Sequence, residues 1–437
     1  MKLSAAEETF GRDAYPNWKI LAALAGLAAL PYLRALWLPL ISDDHLQVLL
    51  SRQYGPVSGW PALLADPLYR TRATSLLLTH WTELLAGFSP FAFHLSGIAL
   101  HVVNTWLVLL LGAWTAVGWR TAAFAAAFFA VYEGHQEAVI WYAALPELLV
   151  FTFGLAAFLC WVAWIESECT RTRCLAGALA AFALALFSKE SAALVAPLLI
   201  LPVAYRPARW RKALPAVALF AGVAAAYFGL IYAARSGVQH FQDGAFALDA
   251  LAARTVAYSA ARLVWFWGLL GLAALAIFRE RRRVRLLAVA AAWICIAFLP
   301  YSFLTYMPFV PSRHTYFASA GLALIVAAGF LALAGRLRGL RWAPAAVAAV
   351  VALHNAGYVW TKKQGQYVER ATPIQAVIRA ARSGDGPVYV RAFPYPFPAA
   401  VAAVMIETGR PADAVRPWSG KSNPPEGLYL DMEARAK

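Results

Sequence analysis

The chain has 437 residues, of which 61% are hydrophobic and 14% charged, and its formal net charge is +15. Apolar runs of roughly 15–22 residues recur from Lys19 to Trp360, close to the ~20 residues needed to cross the hydrocarbon core of a bilayer. This density excludes a soluble domain before residue 360. Nucleic-acid binding is not needed to explain the basic charge, which follows the loops between the apolar runs.

The apolar runs predict an all-α polytopic membrane protein with about eleven transmembrane helices. The first run follows a polar start and is longer than the core of a signal peptide, so we predict an uncleaved anchor. Two of the runs, 119–133 and 173–187, are short and would have to cross straight or be partly re-entrant. The predicted spans are 18–38, 92–113, 119–133, 144–165, 173–187, 190–205, 212–234, 256–278, 285–305, 315–335 and 341–360.

The distribution of lysine and arginine predicts how the chain crosses the membrane. Basic residues gather in alternate loops, and the intervening loops are poor in them for their length. By the positive-inside rule the N-terminus is cytoplasmic and, with an odd number of spans, the C-terminus is extracytoplasmic, in a plasma (inner) membrane. The basic residues are Arg120; Arg171 and Arg173; Arg206, Arg209, Arg211 and Lys212; Arg279, Arg281, Arg282, Arg283 and Arg285; and Arg336, Arg338 and Arg341.

Two adjacent acids, Asp43 and Asp44, follow the first span at the start of a long predicted outer loop, residues 39–91. A charged side chain at the bilayer centre costs ~2.5–3.5 kcal/mol, so ionisable residues at or in a membrane indicate function by default. The ordinary alternative is a solvated helix cap. Three more polar segments, 132–141, 187–190 and 308–316, are predicted on the same side. Four loops could therefore form one site at the outer surface.

Each polar segment also has a purely structural explanation. His135 and Glu137 could mark a helix end, and Lys189 with Glu190 could be a surface ion pair that contributes under about 1 kcal/mol. Arg313 could extend to lipid headgroups. The residues alone leave both explanations open.

Short motifs in a fixed order, from about residue 38 to 335, resemble those of a known family. The chain is similar to the GT-C superfamily of polyprenyl-phosphate-sugar glycosyltransferases. Within it, the likeness is greatest to the branch that in animals carries lumenal tetratricopeptide repeats and transfers mannose to protein hydroxyls. The motifs are Asp43-Asp44, Tyr69-Arg-Thr-Arg-Ala73, Pro90-Phe-Ala-Phe-His-Leu-Ser-Gly-Ile-Ala-Leu-His101, Tyr132-Glu-Gly-His-Gln-Glu-Ala-Val-Ile-Trp141, Ser188-Lys-Glu190 and Ser312-Arg-His-Thr-Tyr-Phe-Ala-Ser-Ala-Gly321.

The chain also departs from that family's pattern. The proline after Tyr-Arg is replaced by Thr71, and the first histidine of the His-Pro-x-His motif is Tyr132. The family's downstream Arg-x-Asp is Leu145-Pro-Glu147, and no tetratricopeptide repeats follow in this chain. These departures put the acceptor and the sugar in doubt more than the reaction class.

The resemblance implies transfer of a sugar from a polyprenyl-phosphate donor to a hydroxyl on a protein, lipid or glycan, with no nucleic-acid partner. In that reaction Asp43 or Asp44 would take the hydroxyl proton. Direct displacement with one base would invert the anomeric carbon, and retention would need a second carboxylate, for which Glu137 is a candidate. Lys189, Arg313 and Arg70 would bind the donor phosphate, with His135, Glu137, Glu190 and His314 in support. No metal ligands are assigned, and a divalent cation is left open.

The last segment differs in composition from the rest. We predict a transmembrane GT-C-like domain over residues 1–360 and a small extracytoplasmic α/β tail over 361–437, with a strand at 386–393 and a short helix at 398–409. The tail could cover the site, bind acceptor or only pack. Two other functions stay open for the whole chain, a transporter or lipid flippase and a catalytically inactive GT-C-like scaffold.

Overall fold

We describe the chain from a computed structural model, over residues 16–234, 251–278, 283–303, 310–337, 342–420 and 427–433. Helices account for most of these residues, which confirms the all-α membrane class predicted for the chain up to residue 360. Part of the charge pattern used for orientation lies outside the described residues, namely Arg279, Arg281, Arg282, Arg338 and Arg341. Pro308 and Phe309 of the fourth polar segment also lie outside them.

Seven helices in the described parts of the chain are long and apolar enough to cross a membrane. They are α1 (Trp18–Trp37), α5 (Pro90–Ala113), α8 (Tyr142–Glu166), α11 (Pro207–Ala233), α14 (Val284–Tyr301), α15 (Ser319–Arg336) and α16 (Ala343–Arg382). An eighth span is possible if α12 (Leu251–Val264) and α13 (Trp267–Ile277), which meet at a bend of 73°, are counted together.

The predicted count of eleven spans is therefore not confirmed. Three predicted spans are helices of 10–17 residues: α6 (Trp119–Val131), α9 (Thr172–Leu186) and α10 (Glu190–Tyr205). At a rise of 1.5 Å per residue, such helices are shorter than the ~30 Å hydrocarbon core. Hydropathy shows only that a segment is apolar. A helix buried inside a bundle is as apolar as a helix that spans the membrane.

Helix α8 lies in the main core and is apolar on nearly all sides. Such a helix has to be covered by other helices or by lipid, because it has no polar face to present to water. Phe151, Phe158 and Trp161 are buried on it, and their neighbours include Trp114, Trp293 and Phe220. The core thus holds α8 rigidly, and the site described below begins at its first turns.

Predicted outer loop 39–91 consists largely of helices in the structure. It contains α2 (Asp44–Tyr54), α3 (Trp60–Ala65), a 3₁₀ turn (Tyr69–Arg72) and α4 (Ala73–Ala86). Helix α4 packs on α2, and Gln47 of α2 donates hydrogen bonds to Ser75 and Thr79 of α4. The loop therefore holds its polar residues on ordered elements.

Helix α16 is 40 residues long and runs through a π turn at Val359–Lys363, so it passes the predicted domain boundary at residue 360 without a break. After it come β1 (Val388–Arg391), α17 (Phe397–Thr408), β2 (Val415–Pro417) and β3 (Leu428–Asp431). The three strands form a parallel sheet in the order β2-β1-β3. Helix α17 packs on α16 and on α2, so the end of the chain lies against the loop that carries the acid pair.

Candidate functional site

A cavity of about 660 Å³ lies where the polar segments meet. Its walls come from the turn before α2, the 3₁₀ turn at Tyr69–Arg72, the start of α8, the start of α10, and parts of α11 and α14. The 3₁₀ turn at Ser312–Thr315 completes the walls. The charged and titratable residues in the lining are Asp43, Arg72, Glu147, Lys189, Glu190, Tyr301, Arg313 and His314.

Asp43 lies at the N-terminal end of α2, and its side chain lines the cavity. The preceding residue, Ser42, has φ +48°, a left-handed conformation that non-glycine residues rarely adopt and that is often found at functional sites. Trp141 donates its indole N–H to Asp43 Oδ1 at 3.1 Å. Burial raises the pKa of Asp43, although hydrogen bonds and the charge of Arg313 oppose that shift. A carboxylate with a raised pKa is suited to accept a proton near neutral pH.

Asp44 has a different environment, although it is the next residue. Its side chain is fully buried, and it is absent from the cavity lining. Oδ2 accepts the backbone N–H of Ile41 at 2.8 Å, and Oδ1 accepts that of Ala143 at 2.7 Å. Asp44 therefore ties the start of loop 39–91 to the start of α8, and this geometry favours Asp43 of the two acids as the proton acceptor.

Lys189 belongs to a buried network around Glu147. Lys189 forms an ion pair with Glu147 Oε1, the same oxygen accepts a hydrogen bond from His314 Nδ1 at 2.8 Å, and Tyr301 donates to Oε2 at 2.6 Å. Burial lowers the pKa of Lys189, and the charge of Glu147 opposes that shift. Burial, together with the charge of Lys189, lowers the pKa of His314 to about 4, so this histidine is neutral at pH 7.

Arg313 forms an ion pair with Glu137, which lies behind the cavity wall. Its Nη1 lies 3.0 Å from Glu137 Oε1, and its guanidinium carbon lies 4.8 Å from the centre of the Trp141 ring. Burial alone would raise the pKa of Glu137. The hydrogen bond from Ser312 and the charges of Arg313 and Arg370 outweigh burial and lower it, so Glu137 is a carboxylate that orients Arg313.

The cation of the first loop that reaches the cavity is Arg72. Its Nη2 lies 3.2 Å from Glu190 Oε1, and both residues line the cavity. Arg70, the residue predicted from the sequence, is outside the lining, and its guanidinium donates to the carbonyl of Leu230 at 3.4 Å. The two side chains leave the 3₁₀ turn in different directions, and the sequence alone does not show which one faces the cavity.

His135 also lies away from the cavity, in the core. Its Nε2 is 2.6 Å from the hydroxyl of Ser319, and its ring packs against those of Phe129, Tyr132 and Tyr316. The remaining predicted residues, Asp43, Lys189, Glu190, Arg313 and His314, all line the cavity, with Glu137 one contact behind.

Three residues at or beside this cavity had no assigned role in the sequence prediction. They are Arg72, Trp141 and Glu147. In the sequence, Glu147 stands out only as a departure from the family's Arg-x-Asp, and Trp141 only as the last residue of the motif at 132–141. Their roles depend on contacts between distant segments, such as Lys189 with Glu147.

Part of the cavity lining is apolar and comes from three helices. Leu194 and Pro197 come from α10, Phe228 and Ile231 from α11, and Leu299 from α14. Phe228 is 40% exposed and Leu299 is 44% exposed, so this part of the lining reaches the outer face of the helix bundle. In a multi-pass membrane protein, an opening lined in this way can admit a hydrocarbon chain from the bilayer.

No three histidine, cysteine, aspartate or glutamate side chains are grouped as metal ligands in the parts of the chain that the structure describes. The charged side chains of the cavity lining are three carboxylates, Asp43, Glu147 and Glu190, and three cations, Arg72, Lys189 and Arg313. Each cation lies beside an acid, which fixes its direction.

Comparison with known proteins gives the following likenesses. No protein-family model matches the chain. Protein O-mannosyl-transferase Tmtc1 of Drosophila melanogaster is 31% identical over 156 residues, which are 32% of this chain and 18% of that protein. The chain thus corresponds to a small part of that relative's length.

Two solved structures share the fold over nearly all of this chain. The oligosaccharyltransferase AglB of Archaeoglobus fulgidus, in complex with an inhibitory peptide and a dolichol-phosphate, has a TM-score of 0.56 at 12% identity, covering 94% of this chain and 65% of that one. ArnT of Cupriavidus metallidurans, bound to undecaprenyl phosphate, has a TM-score of 0.52 at 12% identity, covering 95% and 90%. At this identity the likeness shows the fold.

Proposed function

We propose that this chain, which is a multi-pass membrane protein with the GT-C fold, transfers a sugar from a polyprenyl-phosphate donor to a hydroxyl acceptor. One observation carries the proposal: a single cavity combines a half-buried carboxylate, Asp43, and three cations with apolar lining residues that reach the surface of the helix bundle. Structural likeness to proteins solved with dolichol-phosphate and undecaprenyl phosphate supports the donor class.

The charged residues of the cavity lining suit the chemistry of this transfer. Asp43 would take the proton of the acceptor hydroxyl as its oxygen bonds to the anomeric carbon. The bond from that carbon to the phosphate oxygen would break, and the phosphate would leave with the bonding electron pair. Lys189, Arg313 and Arg72 would stabilise the charge that grows on the phosphate. The three carboxylates and three cations of the lining already balance in charge. A phosphodiester, which carries one negative charge, therefore fits better than a diphosphate, which carries more.

The arrangement of carboxylates favours inversion at the anomeric carbon. A retaining mechanism needs a second carboxylate as nucleophile. Glu137, the candidate from the sequence, is engaged by Arg313 and Ser312 and does not line the cavity. Glu147 is engaged by Lys189, His314 and Tyr301.

The transporter alternative gains little from the described residues. Transporters place polar groups on broken helices near the middle of the membrane. The break between α12 and α13 falls at Trp265 and Phe266, which are 72% and 51% exposed and apolar. The inactive-scaffold alternative would be supported by loss of the acid or the cations, and Asp43, Lys189 and Arg313 are all present in the cavity.

A transfer assay on the purified protein tests the function. We expect the protein to release polyprenyl phosphate from at least one polyprenyl-phosphate hexose or pentose when membrane extract supplies acceptors, and Asp43→Asn should not. Glycan and glycolipid profiles of a strain lacking the gene would identify the acceptor. Release from no donor, together with lipid movement across vesicles containing the protein, would support the transporter. Inactivity in both assays would support the scaffold.

The side of the membrane is a separate prediction. Charge alternation between loops predicts the cavity and the tail outside the cytoplasm and the N-terminus inside. A reporter that is active only outside the cytoplasm should be active when fused after residue 437 and inactive when fused before residue 1. The reverse result would place the cavity on the cytoplasmic side and would require a donor that is used there.

A further inference from the structure

The tail touches two of the segments that build the site, 132–141 and 39–91. At the first, Tyr367 of α16 donates its hydroxyl hydrogen to Gln136, and the guanidinium carbon of Arg370 lies 4.8 Å from the centre of the Trp141 ring. At the second, Glu407 Oε1 of α17 lies 3.4 Å from Nε2 of His45, the residue directly after the acid pair. His45 is fully buried, so this contact is part of the packed interior.

Arg370 connects three groups of the site without lining the cavity. Besides covering Trp141, its Nη1 lies 3.9 Å from Glu137 Oε1, and Glu137 holds Arg313 at 3.0 Å. Trp141 in turn donates its indole N–H to Asp43 at 3.1 Å. A guanidinium near an indole ring is attracted to the negative face of the ring and limits its rotation.

We propose that the tail is a working part of the site, and that Arg370 is a positioning residue that fixes the Trp141 indole and, through its N–H, the Asp43 carboxylate. The proposal rests on the proposed function, in which Asp43 is the base. It differs from a packing role for the tail, because packing alone would not alter the ionisation of Asp43.

Loss of Arg370 should act on Asp43 in a defined direction. The charged groups near Asp43 among the described residues are Asp44 and Arg313 with its partner Glu137. Arg370 lies over the Trp141 ring that bonds Asp43, and its charge also reaches Asp44. The Lys189–Glu147 pair lines the same cavity. Removing a cation and loosening the Trp141 N–H both favour the protonated carboxyl. The pKa of Asp43 should therefore rise, and the rate should begin to fall at a higher pH on the acid side.

The test compares Arg370→Met with Arg379→Met, a matched change on the same helix. Arg379 is exposed and donates to a carbonyl of its own helix. We expect Arg370→Met to lower kcat about tenfold, the scale of one hydrogen bond to a charged group, with the donor KM nearly unchanged. Its acid limb should move to higher pH, and Arg379→Met should match the wild type. Adding Arg370→Met to the Trp141→Phe variant should lower kcat little further, because both substitutions act through the Trp141 N–H contact with Asp43.

A second measurement does not depend on transfer. Carbodiimide reacts with protonated carboxyls, so labelling of Asp43, followed by mass spectrometry across pH, should extend to higher pH in Arg370→Met than in Arg379→Met. Equal labelling and equal kinetics in the two variants would overturn the role of Arg370. A labelling shift in a protein that transfers no sugar would overturn the proposed function and leave the role of Arg370 standing.

Discussion

Asp43→Asn should abolish sugar transfer, with a loss of about 10³-fold or more, while the protein still folds. The expected size follows from general-base catalysis, which contributes ~10²–10⁴-fold. An asparagine keeps the shape of the side chain and can still accept the Trp141 N–H, so the hydrogen bond at 3.1 Å survives and only the base is removed. Initial rates with saturating donor, at matched protein amounts, measure the effect.

Asp44→Asn is the contrasting variant. An amide can accept only one of the two backbone N–H groups that Asp44 now accepts, so one buried donor loses its partner. That loss costs about 1–3 kcal/mol of folding free energy. We expect lower thermal stability and lower yield, with substantial activity per folded molecule. Full activity in Asp43→Asn would show that the proposed base is wrong, whatever Asp44→Asn does.

The pH dependence gives a check on the same assignment. Burial raises the pKa of Asp43, so the carboxylate form is lost at a higher pH than for an exposed aspartate. Transfer should therefore fall on the acid side as pH drops through that raised value. An acid limb at the ordinary pKa of an exposed aspartate, ~3.9, would contradict a base in the half-buried position of Asp43.

Lys189→Met should lower turnover by ~10²-fold or more, the usual cost of one transition-state electrostatic contact. Lys189 is 9% exposed and lines the cavity beside its ion-pair partner Glu147. A carboxylate such as Glu147 has no hydrogen to donate to a phosphate, so the contact would come from Lys189. Kinetics with a polyprenyl-phosphate sugar should show a loss in kcat, and the acid limb of the pH profile should remain set by Asp43. Arg313→Met should act in the same direction.

The single variant also leaves a buried carboxylate without its cation. Breaking a buried ion pair in this way costs about 3–5 kcal/mol of stability, so Lys189→Met can fail to fold. The double variant Lys189→Met with Glu147→Gln removes both charges and should recover stability while staying slow. A shifted pH optimum with unchanged donor affinity and turnover would mean that Lys189 tunes the base, and the phosphate role would then be dropped.

Sequence reasoning located the cavity better than its individual contacts. The charge pattern and the apolar runs placed four distant segments together, and five predicted residues from three of those segments line one cavity. It did not separate Asp43 from Asp44 or Arg72 from Arg70, because neighbours in the sequence can point in different directions at a helix start or in a 3₁₀ turn. His135 belonged to a motif, yet its ring packs in the aromatic core. Such differences depend on the tertiary packing around each side chain.

The span count is not confirmed for a related reason. Helices α6, α9 and α10 are apolar because other helices surround them or because lipid does, and composition cannot distinguish the two. Their lengths in the structure leave them shorter than the seven long apolar helices of the described residues.

Helix α16 has a mechanical consequence. Forty residues of helix extend about 60 Å, roughly twice the thickness of the hydrocarbon core. The helix is tied to α1 where Trp360 donates to the carbonyl of Pro31 at 3.0 Å, and ten residues farther along it carries Arg370. A bilayer that is too thick or too thin for α1 and α16 changes their tilt, and a change in the tilt of α16 would move Arg370 relative to Trp141. The rate of this protein should therefore depend on lipid chain length, even where the lipid never enters the cavity.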